Sequence, residues 1–279
     1  MTHTNAEKSY HLLTSHPDYF RRICSAEEYA SHLLPFIPRG LPVFQSHGIG
    51  HSQAITTYIN ELLISFPLPL QQQEIFLLYL AAWFHDIGFL HPLSIHDRGR
   101  HPELSEDMIM RDPFLSELLS PEERENLGVI VRFHDTHSDL LKIRTTSRLK
   151  IPLLAGLFRL TDAIDIGKDR CPPEVFCLIE DGLDEHSRRH WKAHQNVKGC
   201  SIAYPEIVIT MYDPENPFFR RRIVPHLEDD CKSSGIICRK YGISPFRIVY
   251  QRDEDTIPES SSTSIEKNRS FASASIQGQ

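Results

Sequence analysis

Residues 74–90 read EIFLLYLAAWFHDIGFL. From Ile75 to Phe84 every residue is apolar or aromatic, so a helix here has no polar face and must be surrounded by other elements. The stretch predicts the central helix of a mainly α fold. At its end stand His85 and Asp86, where an ionised carboxylate carries a large desolvation cost unless something compensates it. Dense hydrogen bonding or a nearby cation would serve, and histidine beside aspartate after a wholly apolar helix points to a divalent metal.

Working outward, Ile55, Tyr58, Ile59, Leu62 and Leu63 recur at steps of three and four, which predicts an amphipathic helix that His51 opens just after Gly48-Ile49-Gly50. PELSEDMIMRD, beginning at Pro102, and PEERENLGVIVRF, beginning at Pro121, each place proline in a first turn with acidic residues against the positive helix end. A further helix is expected from about Pro152 to Ile166. On it, Asp165 falls within the stripe of Leu154, Leu157 and Phe158, and Asp162 at its edge. His134 follows Leu127, Ile130 and Val131 at helical steps and is expected to face inward. Several inward His and Asp groups on different helices are best explained by a shared ion. Beyond residue 200 a β-branched run at Ile207–Thr210, an amphipathic stretch at 223–240 and a second run at Phe246–Tyr250 predict a small C-terminal α+β appendage. From Asp253 onward the chain is polar and serine-rich without periodicity, and is expected to be disordered.

Composition narrows the function. The chain has 279 residues, 40% of them hydrophobic, which supplies a full core. Thirty basic against 37 acidic residues give a net charge of −7, which argues against a broad electrostatic clamp on nucleic acid but leaves room for local basic patches. The run Ile75–Phe84 is well short of the roughly 20 residues needed to span a bilayer, and the start MTHTNAEKSYH lacks a signal-peptide core, so a cytoplasmic protein is expected. Six cysteines without a C-x-x-C pair fit reduced thiols rather than a zinc ribbon. The 16 histidines are the anomaly, because histidine is the commonest metal ligand. His47 reads as a turn residue, and His91, His96 and His137 as loop residues. His186, His190 and His194 can share one helix face, but Arg188, Arg189 and Lys192 between them would repel a cation.

HGIGHS (47–52), AAWFHDIG (81–88), RHPELSEDMI (100–109) and LAGLFRLTDAID (154–165) together resemble the HD superfamily of metal-dependent phosphohydrolases. The resemblance implies an HD-domain helical bundle, with His51, His85, Asp86 and Asp162 on a first metal and favouring Asp162 over Asp165. By analogy with two-metal HD proteins, His101 and His134 would hold a second ion and Asp86 would bridge. His134 is followed by Asp135 rather than a second histidine and no GYP triplet comes after it, unlike the HD-GYP phosphodiesterases. The run LAGLFRLTDAIDIGKDR, with HGIGHS and HWKAHQNVKG, is more similar to stand-alone HD proteins and the HD-CE type.

The expected division is an N-terminal helical segment (1–44), an HD phosphohydrolase core (45–170), an α+β extension (171–252) and a disordered tail (253–279). The expected activity is hydrolysis of a small phosphoester, a nucleotide or nucleotide-derived signal, by water activated on one or two divalent ions. Manganese, iron, magnesium, nickel and zinc all suit mixed imidazole and carboxylate ligands. Asp86 and Asp135 are the expected catalytic groups, with Asp135 or a metal-bound hydroxide in proton transfer, and Arg100, Lys168 and Arg170 the cationic donors to phosphate. Two alternatives stand beside this reading: a cyclic nucleotide or dinucleotide phosphodiesterase, and a non-catalytic HD module binding a nucleotide or partner protein. No membrane partner is expected, and the sequence sets no oligomeric state.

Overall fold

A computed structural model describes residues 3–37 and 47–254. The expected tail beyond Glu254 and the boundary at residue 44 fall outside the described residues. Twelve α-helices and three strands occur among those described. In order they are α1 (His3–Ser9), α2 (Pro17–Leu33), α3 (Ile49–Ser65), α4 (Gln72–Phe84), α5 (His101–Arg111), α6 (Pro113–Leu118), α7 (Pro121–Arg132), α8 (Ile151–Ala163), α9 (Pro173–Ile179), α10 (Glu185–Gln195), β1 (Val197–Ala203), β2 (Glu206–Met211), α11 (Pro217–Arg222), α12 (Val224–Lys240) and β3 (Arg247–Arg252). The fold is mainly α with a small C-terminal α+β part, as the periodicity predicts. No helix among the described residues is long and apolar enough to cross a membrane.

Helix α4 is buried from Glu74 to Phe84 and packs against α2, α3, α7 and α8. Its start is a capping box, in which the Gln71 side chain accepts from the Glu74 backbone and Glu74 accepts from the Gln71 N–H at 2.8 Å. The other Glu74 oxygen accepts the Lys150 N–H at 2.8 Å, and Lys150 Nζ lies 3.1 Å from the carboxylate, so the buried charge is compensated and the starts of α4 and α8 are tied together. The helix is shorter than the sequence suggests. It ends at Phe84, His85 caps it, and Ile87–Leu90 forms a 3₁₀ turn. Asp86, at φ −100° and ψ 0°, sits in the bridge region that re-aims the chain at the break. Gly88 explains why the turn can lie so close to α5: a Cβ there would stand 2.1 Å from the His101 carbonyl oxygen and 2.6 Å from the Ser105 nitrogen.

The sheet has order β1-β2-β3, with β1 and β2 antiparallel and β2 and β3 parallel. A register shift between Val197 and Gly199 marks a bulge, and Ile207, Ile209 and Met211 point from β2 into the core. One continuous apolar core runs from Ala6 to Phe246, so the C-terminal part shares the interior of the helical bundle. Helix α12 lies along α8, with Ser234 Oγ donating to the Gly156 carbonyl at 2.8 Å. A smaller apolar cluster of Cys171, Phe176, Leu183 and Trp191 holds α9 and α10. Asp253, expected in the disordered tail, is buried instead. Its carboxylate takes Lys198 Nζ at 2.7 Å and its N–H donates to the Met211 carbonyl at 2.8 Å, because the chain continues β3 past its last ladder residue.

Candidate metal centre

The break after α4 delivers Asp86 to the lining of a cleft of about 240 Å³, with His85 buried beside it. Four other segments converge there: the first turn of α3 and the stretch before it (His51 and His47), the start of α5 (His101), the turn just past α7 (His134), and the end of α8 with the turn after it (Asp162 and Asp165). All six metal-binding residues expected from the sequence are thus brought together. His134 lies two residues beyond the end of α7 rather than on it, since the helix stops at Arg132.

Asp86 is the hub. Its Oδ2 lies 3.1 Å from His85 Nε2 and 3.7 Å from His51 Nε2, while its Oδ1 lies 3.5 Å from His101 Nε2 and 3.9 Å from His134 Nε2. The two oxygens therefore face two different histidine pairs. Asp162 Oδ1 stands 3.1 Å from His51 Nε2 and 3.6 Å from His85 Nε2, on the side of the first pair. Three overlapping triads, His47–His51–Asp86, His51–His85–Asp162 and His85–Asp86–His134, have ligand atoms within 4.8 Å of one another.

Hydrogen bonding on the outer ring nitrogens fixes the tautomers. His85 Nδ1 donates to the Ala81 carbonyl at 3.2 Å, His101 Nδ1 to Arg98 O at 2.8 Å and His134 Nδ1 to Val131 O at 2.5 Å. On the neutral rings each Nε2 then directs its lone pair inward. Two such pairs nearly touch, His51 with His85 at 3.1 Å and His101 with His134 at 3.0 Å. Lone pairs placed in this way repel unless a proton or a cation lies between them. His51 Nδ1 is held by Asp165 Oδ2 at 2.6 Å, the carboxylate–histidine arrangement that raises a ligand's basicity. The carboxylates of Asp86, Asp162 and Asp165 face one permanent cation, Arg170, and this imbalance together with the nitrogen pairs fits a divalent ion.

The field inside the cleft shows in the titration of its groups. Burial opposes charge on His85, yet the Asp86 and Asp162 carboxylates beside it push it up to about 9. Burial would raise Asp86, but His85 and His47 hold it well below the usual carboxylate range. Asp162 is likewise depressed against burial, chiefly by His85 and His51. His134 is taken down to about 4 by burial and by the neighbouring His101 and His85.

Several expectations need correction. His47, read as a turn residue, places Nδ1 2.7 Å from Asp86 Oδ2 and belongs to the site. It precedes α3 with Gly48 extended between them, so helical spacing from His51 could not reveal it. Among the three expected phosphate donors only Arg170 enters the cleft, with Nη1 3.0 Å from the Asp165 carbonyl and Nη2 3.3 Å from His47 Nδ1. Arg100 is half exposed and lies 4.0 Å from Glu103 on the outer face of α5, and Lys168 is exposed at the start of its 3₁₀ turn. Asp165 meets the outer nitrogen of His51, whereas Asp162 faces its inner one. Asp135 lines the cleft mouth, its Oδ1 accepting the His137 N–H at 2.8 Å. Asp230, on α12, also lines the cleft and was not foreseen, since nothing in its local pattern marks it.

A helical bundle whose broken central helix supplies adjacent His and Asp to such a cluster defines an HD-type domain. The family model HD-CE matches residues 26–217, well over half of the chain, and the protein belongs to that family. No curated protein matches it.

Proposed function

We propose that the protein is a metal-dependent phosphohydrolase acting on a small phosphoester, with a nucleotide or nucleotide-derived signal as the substrate class. The observation that carries this reading is the divided carboxylate of Asp86, each oxygen facing its own histidine pair, which is the donor arrangement for two ions a bridging ligand apart. His51, His85, Asp86 and Asp162 would hold the first ion, with His47 beside them, and Asp86, His101 and His134 the second. Divalent ions held there would supply Lewis acidity, lowering the pKa of water and neutralising charge on phosphoryl oxygens.

The chain's own residues supply the rest. Arg170, buried in the cleft wall with its Nε unpartnered, offers a rigid donor to phosphate oxygens. Asp135 stands where a proton can pass between the cleft and solvent. Two aspects favour a small ester over a cyclic dinucleotide: a cleft volume below the roughly 300–1,000 Å³ of typical drug-sized sites, and Asp135 rather than a second histidine directly after His134.

The test is metal analysis of the purified protein followed by a product-resolved screen of nucleotides, model phosphomonoesters and cyclic dinucleotides with manganese, magnesium and nickel. Release of phosphate or pyrophosphate from a small ester supports the proposal. Cleavage confined to cyclic dinucleotides would favour the phosphodiesterase reading, and bound metal without any turnover the binding module.

A further inference from the structure

The histidine row of α10 takes no part in the metal centre except at its inner end, where His194 Nδ1 meets the Ile166 carbonyl at 2.8 Å. Its outer end forms one wall of a separate cavity of about 710 Å³ between α10 and α11. His186 and Arg189 come from α10, and Phe218, Arg221 and Arg222 from α11. The Phe218 ring lies 5.6 Å from the His186 ring and 6.1 Å from that of His190.

The arginines here differ from their neighbours. Arg188, Arg189, Arg220, Arg247 and Arg252 each have a carboxylate within 4.0 Å. Among the described residues, Arg221 and Arg222 have none; Arg221 only donates its Nε to the Pro217 carbonyl at 3.0 Å. Glu185, the one acid in the wall, is already matched by Arg189 at 2.6 Å and Arg188 at 3.2 Å. The cavity therefore carries an uncompensated positive charge on a chain whose net charge is −7. Arg221 and Arg222, which no carboxylate offsets, favour an anion there.

We infer that this cavity is a binding site for a small phosphate-rich anion, held by Arg221 and Arg222 with Arg189 and His186 at its side. Guanidinium forks match phosphate oxygens two at a time, and two arginines without a carboxylate partner on one wall suit a multiply charged anion over a monocarboxylate. The concave shape, of a volume usual for small-ligand sites, separates it from the long basic track that a nucleic-acid strand requires. Phe218, Arg221 and Arg222 lie beyond the residues that the family model matches, while His186 and Arg189 lie within them. It is independent of the reading of the metal centre.

The probes are inorganic tripolyphosphate and ATP, titrated calorimetrically into full-length protein in the presence of EDTA, which keeps divalent ions from recruiting phosphate at the metal centre. Saturable binding that weakens as potassium chloride rises is expected for at least one probe. Tighter binding of ATP than of tripolyphosphate would place a nucleoside against Phe218, and equal binding would leave the phosphate chain as the ligand. The Arg221→Gln/Arg222→Gln pair should lose about tenfold or more in affinity while keeping the wild-type metal content. If the pair fails to fold, each single glutamine variant carries the same expectation, since both side chains are exposed. The inference is overturned by absence of saturable binding, by unchanged affinity in the variants, or by an oligonucleotide or acidic peptide that binds better than both probes.

Discussion

Thr136 Oγ1 donates a 2.9 Å hydrogen bond to Asp230 Oδ2, joining positions 94 residues apart. The contact matters because Thr136 lies in the turn that carries His134 and Asp135. The same turn is clamped from behind by Arg159, whose Nη2 donates to the carbonyls of Phe133 at 2.6 Å and Ser138 at 2.7 Å. Asp230 Oδ1 lies 3.9 Å from Arg159 Nε, so α12 closes a buried network around one side of the metal centre. Replacing Asp230 with Ala should destabilise the fold by about 1–3 kcal/mol, the cost of leaving buried partners unsatisfied. It should also reduce the ion held by His134, whereas Asp230→Asn keeps an acceptor for Thr136 and should retain more of that ion. Thermal melts and metal counts on the two variants check this. Equal metal content in D230A and wild type would separate α12 from the site.

Asp86→Ala removes the one carboxylate that faces both histidine pairs. Metal retention and phosphoester hydrolysis should both disappear, read by elemental analysis and by product release. Unchanged stoichiometry in this variant would contradict the ligand assignment.

Replacing His101 or His134 with Ala should leave about one ion per chain and lower turnover steeply, because a two-ion site stabilises both the attacking and the leaving oxygen. A wild-type protein fully active with a single ion would reduce these residues to supporting groups.

Asp165→Asn keeps an oxygen for His51 but removes its charge. Metal affinity should fall about 10- to 100-fold and recover with excess metal, as losses of a ligand's hydrogen-bond partner do. Wild-type affinity in the variant would show that the 2.6 Å contact does not tune the site.

Arg22 and Glu123 join α2 to α7 through a nearly buried pair at 2.5 Å. Burial would raise the Glu123 pKa, but Arg22 and the Ser120 cap outweigh it and hold it below its ordinary value. The stability this depression gives is present above the unfolded pKa, about 4.3, and is lost as the pH falls through the folded value. Melting temperature from about pH 7 to about pH 3 should fall more steeply in wild type than in Glu123→Gln, which keeps a capping-box side chain without the charge. Parallel curves would mean that the ion pair contributes nothing.

Much of this was legible in the sequence because the strongest signals were local. The unbroken apolar run before His85 could only be an interior helix, and the first-turn prolines with their acidic neighbours placed α5 and α7. The segments holding His51, His85, His101, His134 and Asp162 each carried a readable period or motif. What escaped depended on tertiary approach. His47 enters the cleft from an extended stretch with no periodicity, Asp230 reaches it across the interior, and Arg170 turns inward where Arg100 and Lys168 do not. Asp253 looked like the start of a tail because its partners, Lys198 and the Met211 carbonyl, are far away in sequence. The exposure of Arg100 follows from its place outside the first turn of α5, which charge alone could not disclose.

The divided carboxylate of Asp86 also bears on the order in which the molecule can be assembled. During synthesis Asp86 and His85 leave the ribosome long before Asp162, and the brace from Asp230 follows later still. An ion that binds only the native arrangement can draw little on the early half of the chain and stabilises the whole once the last ligand arrives. On the proposed reading, metal capture would then be a late clasp on a nearly finished bundle.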